Sequence, residues 1–539
     1  MSLVIENGTV YDPANGIDGE QMDIFIKDGK IVEETKGKVI DATGLIVFPG
    51  GLDIHTHISG GKVNLGRLFR PEDHRKDPVP RTAVTRAGVG YSIPTTYVTG
   101  YRYATMGYTT VMEPAITPLS ARHTHEELND TPILDKAAYT LLGNNHYVMH
   151  YIKEGDRENL KNTIAWFLGA SKGYAVKLVN PGGVENWKWG RDVESLDDPV
   201  DNYEVTPRDV LAGLARANDE MGLPHPIHVH ANNLGMPGNY ETTIETINAV
   251  KDRIHLTHLQ FQAYTGDGWR DFGSGMADIA KLINKRDNVT CDMGQVLFDE
   301  TTTMTADGPA QHHLYRLTGN KWMNSDVEME TGAGIVPYRY LERNPVNAVQ
   351  WAIGLEVALM ITDPWKVSLT TDHPNGGPFY HYPKIISWLM SKKERETTLG
   401  TIHKAAAARA ILASLDREYS LYEIAVITRA ATAKTLGLTG KGHLGIGADA
   451  DLAIYRFSED DIAASFARTV YTIKDGRIVV KNGEVVDTPE GRTYWIDAGG
   501  ELTEEDRQVF TKYYTMTLEN YPVQAEYLPR GEAIRCGGI

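Results

Sequence analysis

Eight short segments rich in apolar and β-branched residues recur through the middle of the chain, separated by helix candidates. In order they are LDIHTH, YTTVMEP, NHYVMHYI, YAVKLVN, HPIHVHAN, RIHLTHLQ, NVTCDMGQ and VSLTTDHP. Between them lie stretches such as ENLKNTIAWFLGASKG and PRDVLAGLARANDEMG. Strands alternating with helices predict βα units around a parallel sheet, and eight units are what a (β/α)8 TIM-type barrel requires. A doubly wound open sheet is the competing arrangement, but no G-x-G-x-x-G follows the first segment to support it. A barrel would place its active site at the C-terminal ends of the strands.

The two ends of the chain read differently. LVIENGTVYDP, DIFIKDGKIVEE and KVIDATGLIVFPG are short strands broken by Asn-Gly and Asp-Gly turns, and GADADLAIYRF with VYTIKDGRIVVKNGEVV repeats that pattern late in the chain. IKDGKIV (26–32) and IKDGRIV (473–479) match too briefly for a tandem repeat. They predict instead one small β-structure made by both ends, with the barrel inserted between them. The expected organisation of this α/β chain is 1–49 and 431–500 as the two β halves, 50–430 as the barrel, and 501–539 as a C-terminal extension.

Composition narrows the setting. The 539 residues carry 41% hydrophobic and 23% charged side chains and no apolar run long enough to cross a bilayer, so neither a membrane span nor a membrane partner is expected. The start MSLVIENGTVYDP lacks a basic, then apolar, leader, which predicts a cytoplasmic protein. Two cysteines, Cys291 and Cys536, exclude a disulfide framework and any four-cysteine metal site within the chain. A net charge of −17 argues against a nucleic-acid partner. The locally basic GRLFRPEDHRKDPVPR (66–81) is either a solvated loop or a contact for an anionic tail.

Most strand ends carry groups able to bind metal. GGLDIHTHIS (50–59) places His55 and His57 two residues apart, on one face of an extended strand. That is the start of a metal site or a hydrogen-bonded polar pair. Lys177 lies inside the apolar YAVKLVN, where a cation is costly; a salt bridge or carboxylation by carbon dioxide would relieve it. The fifth segment offers His228 and His230, with His230 nearer the catalytic end. The sixth offers His255 and His258, which face opposite ways in an extended strand, so one alone should reach the axis, and His258 is the better placed. His228 and His255 are therefore read as supporting or core residues. Asp372 ends the eighth, with His373 expected to point away. His123 and His125, in ARHTHEE, are expected at the surface.

His-x-His on strand one, Lys on four, His on five, His on six and Asp on eight resembles the binuclear amidohydrolase superfamily. VHAN, LTHLQ, TTDH and the late KGHLGIGADADLAIY fit its strand five, six and eight segments and its flanking β-sandwich. GGKVNLGRLFRPEDHR, TGYRYATMGYTTVMEPA, ARHTHEELNDTP, ANNLGMPGNYETT and DETTTMTADGP narrow the likeness further. They resemble one subunit type of the formylmethanofuran dehydrogenases, which also occurs in formyltransferase/hydrolase complexes. That resemblance implies an enzyme cleaving, or in reverse forming, the formyl–amine bond of a formylmethanofuran-type carrier, with formate as the other product. It implies one zinc on His55, His57 and Asp372, a second on His230 and His258, and carboxylated Lys177 with a hydroxide bridging them. Asp372 would shuttle the proton to the departing amine, and the other subunits of the complex would be partners. Of the two settings the formyltransferase/hydrolase complex is preferred, on no single residue. A hydantoinase or dihydropyrimidinase type of cyclic amide hydrolase is the alternative activity, and a metal-free scaffold protein the alternative class.

Three segments outside the ligand set carry expectations. Residues 62–75 should form a loop closing over the site, with Arg67 or Arg70 pairing with carboxylates on the carrier's tail. DETTTMTADGP (299–309) should hang over the barrel mouth and help form the substrate pocket through Thr301, Thr303 and Asp307; Asn232 is a further substrate-binding candidate. NYPVQAEYLPRGEAIRCGGI (520–539) is either an arm across a neighbouring protein or a tail on its own barrel.

Overall fold

The computed structural model describes residues 2–325, 333–514 and 517–536. Eight parallel strands form the barrel: Gly51–Asp53, Tyr108–Ile116, Asp135–Leu141, Ala175–Val179, Ile227–His230, Ile254–Leu256, Val289–Asp292 and Val367–Ser368. The circuit closes by a bridge between Thr56 and His373, where the His57 N–H donates to the His373 carbonyl at 2.7 Å. Helices cover the strands outside and side chains fill them inside, so the strands read as unbroken apolar runs; all of Tyr108–Ile116 is buried. The helices start where their sequences say they should. Pro207–Glu220 is opened by Thr206 and Asp209, each side chain accepting the other's backbone N–H.

Seven of the eight expected segments lie on barrel strands; NHYVMHYI does not. It forms the helix His146–Glu154, opened by the Asn145 side chain, which accepts from the Tyr147 and Val148 N–H groups, and closed by Gly155 at φ 69°. The third strand is DKAAYTL (135–141) instead. Its Asp-Lys start and paired alanines hide it, because alanine and charged residues are poor strand formers on average.

Both chain ends build one nine-stranded sheet. Ile46–Pro49 pairs with Leu452–Tyr455, which joins the first stretch of chain to the last. The long strand Ser2–Asp12 breaks register between Ile5 and Gly8, pairing with Lys38–Asp41 before the break and Ile46–Pro49 after it. The sheet bends there over its own core, which includes Leu3, Ile26, Val47, Leu452 and Ile473. This composite sheet ends at Val485, short of the expected boundary at 500. Thr493–Asp497 leaves it to pair with the third barrel strand, and Gly531–Arg535 pairs parallel with Thr493–Asp497. Residues 531–535 of the 520–539 segment therefore pair with their own barrel sheet; residues 537–539 lie outside the described residues.

A buried ion cluster locks the two parts together. Asp135 of the third barrel strand meets Lys441 and, at 3.0 Å, Lys474; Lys441 also holds Asp451 at 2.6 Å and Asp449 at 2.9 Å. Burial pushes the Asp135 carboxyl up, but Lys441, Lys474 and Arg492 together hold it well below its ordinary 3.8. Its contribution is thus complete above that pH and fades as the pH falls toward the lowered folded-state value. Asp135→Asn should cost about 3–5 kcal/mol in urea unfolding at neutral pH. The deficit should narrow once the pH drops below 3.8; a deficit independent of pH would refute the ionic account.

Candidate metal centre

The ends of three strands are bent into a conformation that side chains disfavour. Asn180, His258 and Asp372, just beyond strands four, six and eight, have φ of 40°, 39° and 53°. Such left-handed residues outside glycine are uncommon, cost energy and cluster at functional sites. The turn at His258 also corrects an expectation. His255 does not face away from the axis: its ring stacks 4.7 Å from that of His228, and His228 is the register partner of both Lys177 and His255. His258 lies past the strand, so simple alternation no longer governs it, and both histidines end up inside. Gly294 makes room, since a Cβ there would stand 2.5 Å from the Cβ of His258.

The six expected ligands come together. His55 Nε2 lies 2.9 Å and His57 Nε2 3.3 Å from Asp372 Oδ1. Ligand atoms of His55, His258 and Asp372 all fall within 4.8 Å of one another, and the rings of His230 and His258 are 4.8 Å apart. Lys177 Nζ is buried with no hydrogen-bond partner among the described residues, and His55 Nε2, close as it is to Asp372, is out of line for a hydrogen bond. Groups aimed at a common point rather than at each other are what a cation site presents. Burial pushes Lys177 down to about 7 and His55 and His258 well below their ordinary range, so the rings are neutral lone-pair donors. The donor set therefore fits metal, with imidazole nitrogen and carboxylate oxygen converging.

A second row of residues fixes which atom each ligand offers. Glu113 Oε1 lies 3.2 Å from His57 Nδ1, leaving Nε2 for the site. The same carboxylate accepts from the Ile58 and Ser59 N–H groups and from the Lys62 ammonium at 2.7 Å. Burial raises it, but Lys62 and His57 outweigh burial and hold it ionised at about 2. Asp307 Oδ2 lies 3.0 Å from His230 Nε2, leaving Nδ1 for the site. Asn375 donates to Asp372 Oδ1 at 3.0 Å, and Asp292 accepts the His258 N–H at 2.6 Å. Glu113 escaped the sequence reading. Its signal was available, because a glutamate in the apolar YTTVMEP is as anomalous as Lys177 in YAVKLVN.

The ligands floor a cavity of about 300 Å³. Thr303, Thr305, Gln311, His313, Asn344 and Gln350 are among the polar residues of its wall, while Leu234, Phe261, Trp269, Leu314, Leu317 and Val346 give it an apolar side. The 299–309 segment does help wall the cavity, as a strand rather than a loop: Glu300–Thr305 pairs with Ala333–Arg339. Of its three named residues only Thr303 lines the cavity. Thr301 donates its hydroxyl to the Pro374 carbonyl, and Asp307 supports His230. Asn232 lies behind the wall, donating to Asn180 Oδ1 at 2.7 Å and the Pro181 carbonyl at 2.9 Å. Residues 61–75 form a helix, Gly61–Phe69, and a short turn, Pro71–Arg75, not an open loop. Arg67 donates to Asn64 and to the Pro94 and Ile58 carbonyls; Arg70 donates to the Thr301 carbonyl and pairs with Glu300 at 3.1 Å. Both arginines are thus largely engaged within the chain, and neither lines the cavity. His123 is exposed as expected, but His125 is buried against the Ser171 carbonyl at 2.9 Å, because its helix packs on the barrel.

A family model described as "Amidohydrolase family" matches residues 38–480. With this barrel and this convergence of histidines, lysine and aspartate, the chain belongs to the amidohydrolase family. Within it, the chain is 52% identical to Protein FwdA of Methanocaldococcus jannaschii, over 98% of this chain and 97% of that one. It is 39% identical to a subunit of the formyltransferase/hydrolase complex Fhc of Methylorubrum extorquens, over 94% and 93%. A chain in the X-ray structure of the formyltransferase/hydrolase complex FhcABCD from that organism, with methylofuran, superposes with a TM-score of 0.94 at 36% identity over the full length of both. The higher identity is to FwdA, so the preference for the formyltransferase/hydrolase setting gains nothing from these relatives. Among the described residues no helix is long and apolar enough to cross a membrane.

If Asp307 acts through His230, Asp307→Asn should weaken metal binding about 10–100-fold, read by competition with a chelator. Unchanged metal affinity with a raised KM would return Asp307 to the substrate role first expected of it.

Proposed function

We propose that this chain is the amidohydrolase subunit of a larger complex and acts on the formyl–amine bond of a formylmethanofuran-type carrier. Formamide and water become formate and a free amine; in reverse, formate condenses with the amine. The observation that carries this reading is the full-length match, at a TM-score of 0.94, to a chain of a complex solved with methylofuran. The cavity supports it: a polar floor suits a formamide, and the apolar wall of Phe261, Trp269, Leu314 and Val346 suits a flat ring behind it. Of the residues named from the sequence outside the metal set, Thr303 alone lines the cavity, and its oxygen, whose hydrogen goes to Gln311 or the Val336 carbonyl, is placed to accept from the substrate. The reading keeps the cytoplasmic setting, in which unpaired Cys291 and Cys536 stay reduced.

The metals in this reading are two zinc ions, one on His55, His57 and Asp372 and one on His230 and His258. Lys177, pushed down to about 7 by burial, is partly unprotonated at neutral pH, and that amine form would take up carbon dioxide and, as a carbamate, would serve both metals. Bound there, zinc lowers the pKa of water and polarises a carbonyl oxygen. The chain's own work is to position and to move a proton. Burial raises the Asp372 carboxyl, against the opposing pull of His57 and Asn375, which readies it to accept a proton. Asn375 donates to Oδ1, so the carboxylate is held in place while it takes a proton from the attacking water and delivers it to the leaving nitrogen. The walls keep bulk water from that transfer.

Formate release from an N-formyl furfurylamine derivative by the purified complex tests the reading, with hydantoin as the comparison substrate. The formamide should be turned over and hydantoin should not; the opposite preference would overturn the assignment. Asp372→Asn should lower turnover about 10²-fold or more, with a smaller loss of metal. Full activity in that variant would remove the proton shuttle. Metal-free protein with intact partner binding and no hydrolysis under any metal would instead favour the scaffold reading.

A further inference from the structure

His55 faces the cavity through Nε2, and its other nitrogen leads away into the barrel. Behind it lie two more buried imidazoles, His228 and His225, with ring centroids 5.1 Å and 5.2 Å apart along the row. Neither lines the cavity.

The protons along this row follow from one backbone carbonyl. His225 Nδ1 lies 2.9 Å from the Thr435 carbonyl oxygen. A carbonyl only accepts, so Nδ1 carries the proton and Nε2 of the neutral ring accepts. His225 Nε2 lies 3.0 Å from His228 Nδ1, which therefore carries the proton of the second ring. His228 Nε2 then accepts from His55 Nδ1 at 2.8 Å. The lone pair of His55 is left on Nε2, on the side of Asp372 and the cavity. The Thr257 hydroxyl also touches His55 Nδ1. If it donated there, every proton in the row would reverse, and His225 Nδ1 would meet Thr435 lone pair to lone pair. The hydrogen-bond partners of His225 and His228 in the row are a carbonyl and other imidazoles; the nearby Asp292 carboxylate, within 4.8 Å of His228, is engaged by His255 Nε2 and the His258 N–H instead.

We infer that His225 and His228 are positioning residues: they relay the Thr435 carbonyl's demand for a proton to His55 and so fix its Nε2 as the donor atom of the site. Both rings are fully buried, and their hydrogen bonds in the row run to a carbonyl and neighbouring imidazoles. The consequence for metal rests on the proposed zinc reading; the proton order does not.

The test is NMR of the full-length, metal-free protein carrying isotope-labelled histidine, in which the two neutral tautomers give distinct nitrogen signals. His225 and His228 should both be protonated at Nδ1; a proton on Nε2 of His228 overturns the proposal. His225→Phe keeps a flat ring but cannot accept. It should move His228 off its single tautomer and lower zinc affinity at least about tenfold, measured by competition with a chromophoric chelator. His225→Gln should restore both, because its amide can donate to Thr435 and its carbonyl can accept from His228. A Phe variant that keeps the His228 signature and wild-type zinc affinity overturns the relay. If the Phe variant fails to fold, the wild-type spectrum decides alone. Wild-type protein with the expected tautomers but no zinc binding would sink the metal reading and leave the proton order standing.

Discussion

A lysine ammonium sealed inside the barrel is the constraint around which the site is organised. Lys177 Nζ has no hydrogen-bond partner among the described residues, and the surrounding carboxylates do not offset its burial. Keeping a charge in such a place costs several kcal/mol. The imidazoles of His55, His230 and His258 crowd the same volume, each pushed down by burial for the same reason. Such a cluster is unfavourable as bare side chains. On the metal reading the cost is recovered by cations that every member shares, and the lysine changes from an unpaired cation to an anion between them.

The rest of the structure holds that cluster in place. Glu113, Asp307 and His228 each occupy the far atom of a ligand, so the near atom is left for the cavity, and Asn375 fixes the Asp372 carboxylate through Oδ1. Left-handed turns at Asn180, His258 and Asp372 swing strand ends into positions an extended chain would not reach. Rigidity beneath comes from parallel strands buried on both faces and from the ion cluster at Asp135. The wall strand Glu300–Thr305 reaches the site through Asn375, whose side-chain oxygen accepts the Met304 N–H at 2.6 Å.

The ligand set was legible because each member breaks a local pattern: His55, His57, His230 and Asp372 end apolar runs, and Lys177 interrupts one. Alternating strand and helix segments made the barrel legible in the same way. What escaped was whatever depended on a turn or on partners distant in sequence. DKAAYTL lacks the β-branched run that marks its neighbours, while NHYVMHYI, with two tyrosines, a valine and an isoleucine, reads as β-rich and is a helix. His255 was placed on the wrong side because alternation was carried past the end of a three-residue strand. Arg67 and Arg70 read as basic and available, yet the carbonyls of Pro94 and Thr301 that claim them lie 27 and 231 residues away. His225 carries no signal by itself, since its role depends on the Thr435 carbonyl, 210 residues on.

The central claim is that Lys177 and its neighbours form one binuclear centre. A crystal structure of the gently purified protein, with anomalous scattering recorded at the zinc absorption edge, tests it most directly. The account predicts two anomalous peaks, one against His55, His57 and Asp372 and one against His230 and His258, with density extending beyond Lys177 Nζ to touch both. A bare Lys177 ammonium beside a single ion, or no ion at all, would contradict it.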